Sequence, residues 1–183
     1  MISEKEIHTI QTSITGRVKE LRRLHLAWNG YKRTLATTLQ EWDSTPDSER
    51  SMNPKALFPI RSEIDINSPY TTRESIMERS RKVDSALQEV IREEKAQFNQ
   101  ICTILDDNLE LLLQLSIPTS EKHTTDLCSF IRDIKNYLDE QLVDYSLVKS
   151  IIQSLDHKLA EDVILTYVLS LKYSEIAFPF PLN

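Results

Sequence analysis

Apolar residues recur every seven positions along the first forty residues, and this spacing constrains the fold more than any other feature. A repeat of seven places such residues on one stripe of an α-helix, as in a coiled coil. It predicts an N-terminal coiled-coil helix within residues 1–42, and a stripe this long needs a second helix to cover it. That helix belongs either to another protein or to this chain. Six successive sites carry the pattern: Ile7, Ile14, Leu21, Trp28, Leu35 and Trp42.

Glycine is scarce, with 2 glycines in 183 residues, whereas average usage gives roughly a dozen in a chain of this length. Few residues can therefore adopt positive φ, which leaves little room for tight hairpins or phosphate-binding loops. Gly16 and Gly30 both lie in the first helix, either as tolerated interior residues or where a partner helix comes close. The composition predicts an all-α fold, an elongated bundle or coiled coil of long helices.

Prolines interrupt the helical pattern in the rest of the chain. Four of the 7 prolines fall within residues 43–71, and because proline cannot donate a helical hydrogen bond, this segment is predicted to be an extended loop. Thr45 and Ser68 each precede a proline, which makes them candidate sites for a proline-directed kinase. The alternative is that such common dipeptides occur there by chance.

Two further helical regions follow the loop. Residues 72–117 are predicted to form a second long helix that ends before Pro118. Residues 124–176 are predicted to form a third long helix or a helix pair, antiparallel to the second because the connection is short. The apolar, proline-rich tail at 177–183 is expected to dock on these helices or on a partner. The second stripe includes Val83, Leu87, Ile101 and Leu105.

The formal net charge of −6 argues against a protein that binds nucleic acid without regard to sequence. Acidic residues predominate in the second half, where residues 106–183 hold 13 Asp and Glu but 6 Lys and Arg. That half is expected to present either a solvated face or an acidic docking surface.

Reactive groups do not converge in the sequence. The four histidines lie far apart and match no zinc-ligand spacing. The adjacent pairs Glu93-Glu94 and Asp106-Asp107 point to different helix faces, so both are interpreted as solvated surface. No serine lies in a glycine-flanked elbow. We therefore predict no enzymatic activity, no metal and no cofactor, in a protein that is intracellular and does not span a membrane.

Three pieces of the chain carry a resemblance to a known family. The first is residues 35–47, where two leucines four apart lead to Trp42 and then to a Thr-Pro dipeptide followed by an acidic residue. The second is residues 87–94 with the apolar positions that follow them. The third is the Phe-Pro-Phe-Pro sequence at 178–181. Together they resemble the centromere protein K (CENP-K) family of the inner kinetochore, over about residues 30–115 and the tail.

This resemblance implies a structural role in the nucleus, at the centromere. The chain would pair lengthwise with a CENP-H-like subunit and, with a CENP-I-like subunit, help to link centromeric chromatin to the outer kinetochore in chromosome segregation. The partner-facing seam would then consist of Ile7, Ile14, Leu21, Trp28, Leu35, Trp42, Val83, Leu87, Ile101 and Leu105.

Two other classes of helical protein compete with this interpretation. One is a subunit of another nuclear complex such as the Mediator middle module. The segment that leads to Pro179 is similar to a short helix that ends in a proline in that group. The other is a tethering or SNARE-like helical bundle, against which the lack of an anchor or lipidation motif counts.

Overall fold

The structure, a computed structural model, describes residues 4–42, 73–108, 117–118, 124–155 and 161–180. Long helices dominate the described residues, which confirms the predicted all-α helical bundle. The elements in chain order are α1 (Glu4–Gln40), α2 (Arg73–Asp107), β1 (Ile117–Pro118), β2 (Thr124–Thr125), α3 (Leu127–Ser154) and α4 (Glu161–Tyr173).

α1 and α2 pack side by side in opposite directions. Near one end of the pair, Arg17 Nη1 donates to Gln97 Oε1 at 3.2 Å. Near the other end, the Arg79 guanidinium pairs with the Glu41 carboxylate. Because α1 has 37 residues and α2 has 35, the two helices cover each other over most of their lengths.

α3 packs antiparallel to α2 and therefore runs in the same direction as α1. The Tyr137 hydroxyl donates to Glu94 Oε1 at 2.9 Å, and the Tyr145 hydroxyl donates to Asp84 Oδ1 at 2.7 Å. The order of these contacts along the two helices sets the antiparallel direction.

The segment after α4 runs back along α1 towards the start of α3. Glu175 lies 3.7 Å from the Arg33 guanidinium, and the Phe178 ring lies 5.5 Å from the His25 ring. Farther on, Phe180 stacks on Phe130 at 5.2 Å. The apolar part of the tail that the structure describes thus packs on helices of its own chain.

Two apolar clusters fill the bundle, and buried polar residues separate them. One cluster contains Ile14, Leu21 and Ile101, and the other contains Trp28, Leu87 and Val148, among others. On α2 the boundary is Glu94, and on α3 it spans Tyr137 to Asp144. All four polar groups at this level, from Glu94, Tyr137, Gln141 and Asp144, are buried.

Several element boundaries differ from those predicted. The first helix ends at Gln40, two residues before the predicted end. Within the region predicted as one helix or a pair, 124–176, the structure describes two helices, α3 and α4, and α4 ends at Tyr173. α3 begins at Leu127 because Thr124–Thr125 pairs with β1 as a short antiparallel ladder. Asp126 then caps α3, its carboxylate accepting from the Ser129 N–H at 3.0 Å.

Some predictions lie outside the described residues. They include the loop at 43–71 with its candidate phosphorylation sites Thr45 and Ser68. The second helix ends at Asp107, and its predicted end at residue 117 is wrong, because Ile117 pairs with Thr125 in the short ladder of β1 and β2. Residues 109–116, between the two, lie outside the described residues.

Both glycines occupy open positions on α1. A Cβ atom added at Gly16 or Gly30 would meet no atom within 4 Å, so no described helix approaches closely there. Each glycine is therefore an interior helical residue whose cost is mainly conformational entropy.

We predict that Gly16→Ala and Gly30→Ala each raise the free energy of unfolding by about 0.5–1 kcal/mol, because alanine restricts the unfolded chain and favours the helix. Urea unfolding followed by circular dichroism measures the change. Ser85→Ala, also at an exposed helical position, controls for a general effect of alanine. A destabilising glycine substitution would show that something approaches α1 at that position.

Candidate functional site

A lysine and an aspartate form a buried ion pair between α1 and α3. Lys32 Nζ lies 2.9 Å from Asp144 Oδ1 and 2.8 Å from Oδ2. Their side chains are 3% and 6% exposed. A buried charge requires both an opposite charge and hydrogen bonds to its remaining groups, and the surrounding residues supply them.

Trp28 and Ser174 complete the hydrogen bonding of this pair. Trp28 Nε1 donates to Asp144 Oδ2 at 2.9 Å, and the Ser174 hydroxyl lies 3.2 Å from Oδ1. Lys32 Nζ also donates to the hydroxyl and the backbone carbonyl of Ser174. The cluster therefore joins α1, α3 and the residue that follows α4 at one point.

A serine hydroxyl 2.8 Å from a lysine amine resembles the nucleophile and base of a serine-lysine pair. Here, however, the ammonium group is neutralised by the Asp144 carboxylate and its N–H groups are directed at Asp144 and Ser174. It has no lone pair with which to take a proton from the hydroxyl. The arrangement fits a structural ion pair better than a nucleophile.

A second buried network surrounds Glu94 on α2. Tyr137 and Gln141 of α3 donate to Glu94 Oε1, at 2.9 and 3.1 Å. His25 Nδ1 of α1 lies 3.2 Å from the Tyr137 hydroxyl, and Asn29 Nδ2 lies 3.1 Å from His25 Nε2. If His25 is neutral with its proton on Nδ1, each hydrogen bond from Asn29 through His25 and Tyr137 to Glu94 has one donor and one acceptor.

Burial changes the acid–base behaviour of this network. Loss of hydration raises the pKa of Glu94 to about 7, although its bonds to Gln141 and Tyr137 act in the opposite direction. The other oxygen, Oε2, is buried without a hydrogen-bond partner among the described residues. Burial also lowers the pKa of His25 and, together with Glu94, raises that of Tyr137. Burial in this network therefore favours the neutral forms of the Glu94, His25 and Tyr137 side chains.

These contacts correct the interpretation of Glu93-Glu94 as solvated surface. Glu93 does lie at the surface, where its side chain is 41% exposed, whereas Glu94 is fully buried. Adjacent residues point about 100° apart on a helix, so one of the two faces α3 while the other faces solvent.

We predict that Lys32→Met lowers the free energy of unfolding by about 3–5 kcal/mol, because Asp144 would remain buried without its counter-charge. The double variant Lys32→Met with Asp144→Leu recovers more than half of that loss. Chemical unfolding of both variants measures the difference.

The exposed ion pair between Arg33 and Glu175, whose side chains are 72% and 68% exposed, provides the control. Arg33→Ala changes stability by about 1 kcal/mol or less, since exposed pairs contribute little. A Lys32→Met protein as stable as this control would contradict a structural role for the buried pair.

We predict that Glu94→Gln stabilises the protein at alkaline pH. Glu94 titrates near pH 7 in the native state and near 4.5 when unfolded, so between these values the native state binds more protons. The wild type therefore loses about 3 kcal/mol as pH rises through this window, and glutamine avoids the loss.

The measurement is the difference in unfolding free energy between Glu94→Gln and wild type from pH 4 to pH 8. It should be small at pH 4 and largest at pH 8. His25 contributes with the opposite sign, losing stability as pH falls below 6.5, but it cancels in the difference. Glu140→Gln, at an exposed position on α3, should show no such trend.

Nine of the ten residues predicted to form the partner-facing seam are buried inside the chain, and the tenth, Ile7, is half-buried. The buried nine are Ile14, Leu21, Trp28, Leu35, Trp42, Val83, Leu87, Ile101 and Leu105. The stripe of α1 was expected to be covered by a helix either of another protein or of this chain, and in the structure helices of this chain cover it. These side chains are not on the surface of the described chain.

α4 exposes an apolar stripe that sequence reasoning missed. Its inner side buries Ile164 and Val168. Its outer side carries Leu165, Leu169 and Tyr173, which are 57%, 44% and 80% exposed. The spacing of four aligns them on one face. The signal was available in the sequence, because 8 of the 13 residues of α4 are apolar and a helix that is apolar all round is buried on all sides.

Other exposed apolar residues lie on α3 and α1, which meet the segment that follows α4. Leu147, 39% exposed, lies three residues after Asp144, whose carboxylate contacts the Ser174 hydroxyl. Val143, 73% exposed, precedes Leu147 by four on the same side of α3. We call the set formed by Leu165, Leu169 and Tyr173 of α4 together with Val143, Leu147 and Leu26 the α4 face.

Leu26 of α1 is 59% exposed. It follows Arg22 by four residues and precedes Arg33 by seven, so the three share one side of the helix. Arg22 lies over the Phe178 ring at 5.6 Å, and Arg33 reaches Glu175. Leu26 is therefore beside the segment that follows α4.

A groove of about 600 Å³ lies between α1 and α2. Tyr31 and Val83 contribute to its wall, and the Arg79–Glu41 ion pair lies in its lining. Two basic residues of the lining, Arg79 and Lys82, form ion pairs with Glu41 and Glu78. This pattern fits charges that flank a helix pair.

No match to this chain was found among family models, curated proteins or solved structures. Within the described residues, no group of three or more His, Cys, Asp or Glu side chains is placed to hold a metal ion. Among the helices that the structure describes, none combines the length and the apolar composition needed to cross a bilayer.

Proposed function

We propose that this chain is a non-catalytic structural subunit that works by binding other proteins through the α4 face. The observation that carries the proposal is the outward stripe of Leu165, Leu169 and Tyr173. A helix that is apolar on both sides is suited to packing between neighbours on both sides, and the described helices cover the inner side of α4. Contiguous exposed apolar surface of this kind marks protein-interaction sites.

The buried polar groups support the same proposal. Lys32, Asp144, Glu94 and Tyr137 are engaged with one another rather than directed at a substrate-sized opening. Buried polar networks of this type fix how helices are aligned. A subunit that presents a binding face to other proteins needs such rigid alignment.

The more specific form of the proposal is a subunit of the inner kinetochore, located in the nucleus at the centromere. The sequence resemblance to the CENP-K family supports it, with CENP-H-like and CENP-I-like subunits as partners. Because the heptad stripe of α1 is buried within the chain, we assign the contact with those partners to the α4 face instead of the seam.

We predict that a tagged wild-type chain recovers CENP-H-like and CENP-I-like subunits from cells and that Leu165→Glu with Leu169→Glu lowers their recovery about tenfold or more, since carboxylates in an apolar interface lose hydration. Quantitative mass spectrometry of the recovered proteins provides the measurement. Ala96→Glu with Gln100→Glu, at exposed positions four apart on α2, is the matched control.

Each outcome separates the alternatives. Recovery of Mediator subunits, or a tagged chain at cytoplasmic membranes, would overturn the kinetochore assignment and leave the structural role. Equal recovery by both double variants would show that the α4 face is not the interface. Recovery of no other protein would contradict the function as a subunit.

A further inference from the structure

We propose that a second copy of this chain packs antiparallel against α4, so that the unit that enters an assembly is a homodimer. This inference rests on the proposed function, because it names the protein that covers the centre of the α4 face. It assigns the stripe of Leu165, Leu169 and Tyr173 to the second copy, and other subunits then bind the rest of the α4 face on the assembled dimer. Substitutions in the stripe would lower the recovery of those subunits by breaking this dimer.

The stripe presents apolar surface that a partner helix can cover. Leu165, Leu169 and Tyr173 lie along two turns of one helix with about half or more of each side chain in water. Tyr173, at the end of the stripe, is 80% exposed, and tyrosine is a residue type that is enriched in protein interfaces. Burying this surface is favourable in proportion to the apolar area removed from water.

The order of charges on α4 makes its outer surface complementary to itself. Asp162 lies at the beginning of the helix and Lys172 at its end, and both are exposed. In an antiparallel pair with its two-fold axis at the level of residue 167, Asp162 is level with Lys172 of the partner. The same axis brings Leu165 level with the partner's Leu169. One axis thus aligns both the apolar and the charged pairs.

The helix dipole also favours an antiparallel arrangement of the two α4 helices. The beginning of an α-helix carries partial positive charge and its end partial negative charge, so antiparallel helices place opposite ends together. A parallel pair would instead put Asp162 beside its own copy. A two-fold interface uses the same patch on both subunits, and this stripe meets that condition.

Sedimentation equilibrium of the purified full chain, over a range of micromolar concentrations, tests the inference. We expect a monomer–dimer equilibrium for the wild type. Leu165→Glu with Leu169→Glu should weaken dimerisation about a hundredfold or more, because it places four carboxylates in the seam. The matched control, Ala96→Glu with Gln100→Glu, should dimerise as the wild type does. Circular dichroism verifies that each variant is folded.

Charge exchange tests the antiparallel arrangement independently of the leucines. Asp162→Lys alone should weaken dimerisation about tenfold, since it places two like charges together at each end of the seam. Adding Lys172→Asp should restore the wild-type dissociation constant. Both variants alter exposed residues, so neither change disturbs the core.

A wild-type chain that stays monomeric throughout, or a dimer unaffected by the leucine substitutions, would overturn the inference. Failure of Lys172→Asp to rescue Asp162→Lys would overturn the antiparallel arrangement. The proposed function is judged separately, because recovery of other subunits by a monomeric chain would support it while contradicting the homodimer. Conversely, a dimer that recovers no other protein would support the homodimer alone.

Discussion

The buried ion pair between Lys32 and Asp144 is the contact on which the arrangement of the bundle depends. Two charges with almost no exposure are tolerated only when they meet in good geometry, and that requirement fixes the axial position of α1 against α3. Because Lys32 also donates to Ser174, the same contact fixes where the chain leaves α4. The tail can then run back along α1 to reach Phe130, and the outer stripe of α4 is held facing away from the bundle.

Apolar stripes alone would not give a unique register. A heptad stripe shifted by seven residues still faces its neighbour with apolar side chains, so long helices need polar contacts to choose one alignment. The two buried networks provide it. The Lys32–Asp144 pair aligns α1 with α3, and Glu94 with Tyr137 aligns α2 with α3. An alignment shifted along either pair would leave a buried charge or hydroxyl without its partner, at a cost of about 1–3 kcal/mol or more.

The helices could be predicted because their signal is local, whereas the polar layer depends on contacts between distant segments. The heptad sites from Ile14 to Trp42 indicate a helix and one buried face without any knowledge of what covers it. Lys32 lies beside that stripe, at a position that is normally solvated in coiled coils, and its partner is 112 residues away. Likewise, Glu94 has the same local context as the exposed Glu93, and its burial follows from contacts with α3. The outer stripe of α4 was visible as excess apolar composition, but which side would be left uncovered depends on the packing of the whole bundle.

The exposed stripe also bears on the stability of α4 itself. A helix of 13 residues is marginal in isolation, because nucleation is costly and few hydrogen bonds follow it. On its inner side, α4 gains from burying Ile164, Val168 and Leu171 against the bundle. On its outer side, Leu165, Leu169 and Tyr173 contribute little while they remain in water. Covering them adds burial to the shortest of the described helices, so binding at this face would stabilise α4 more than the longer helices. The proposed interface and the surface whose burial would stabilise α4 are thus the same.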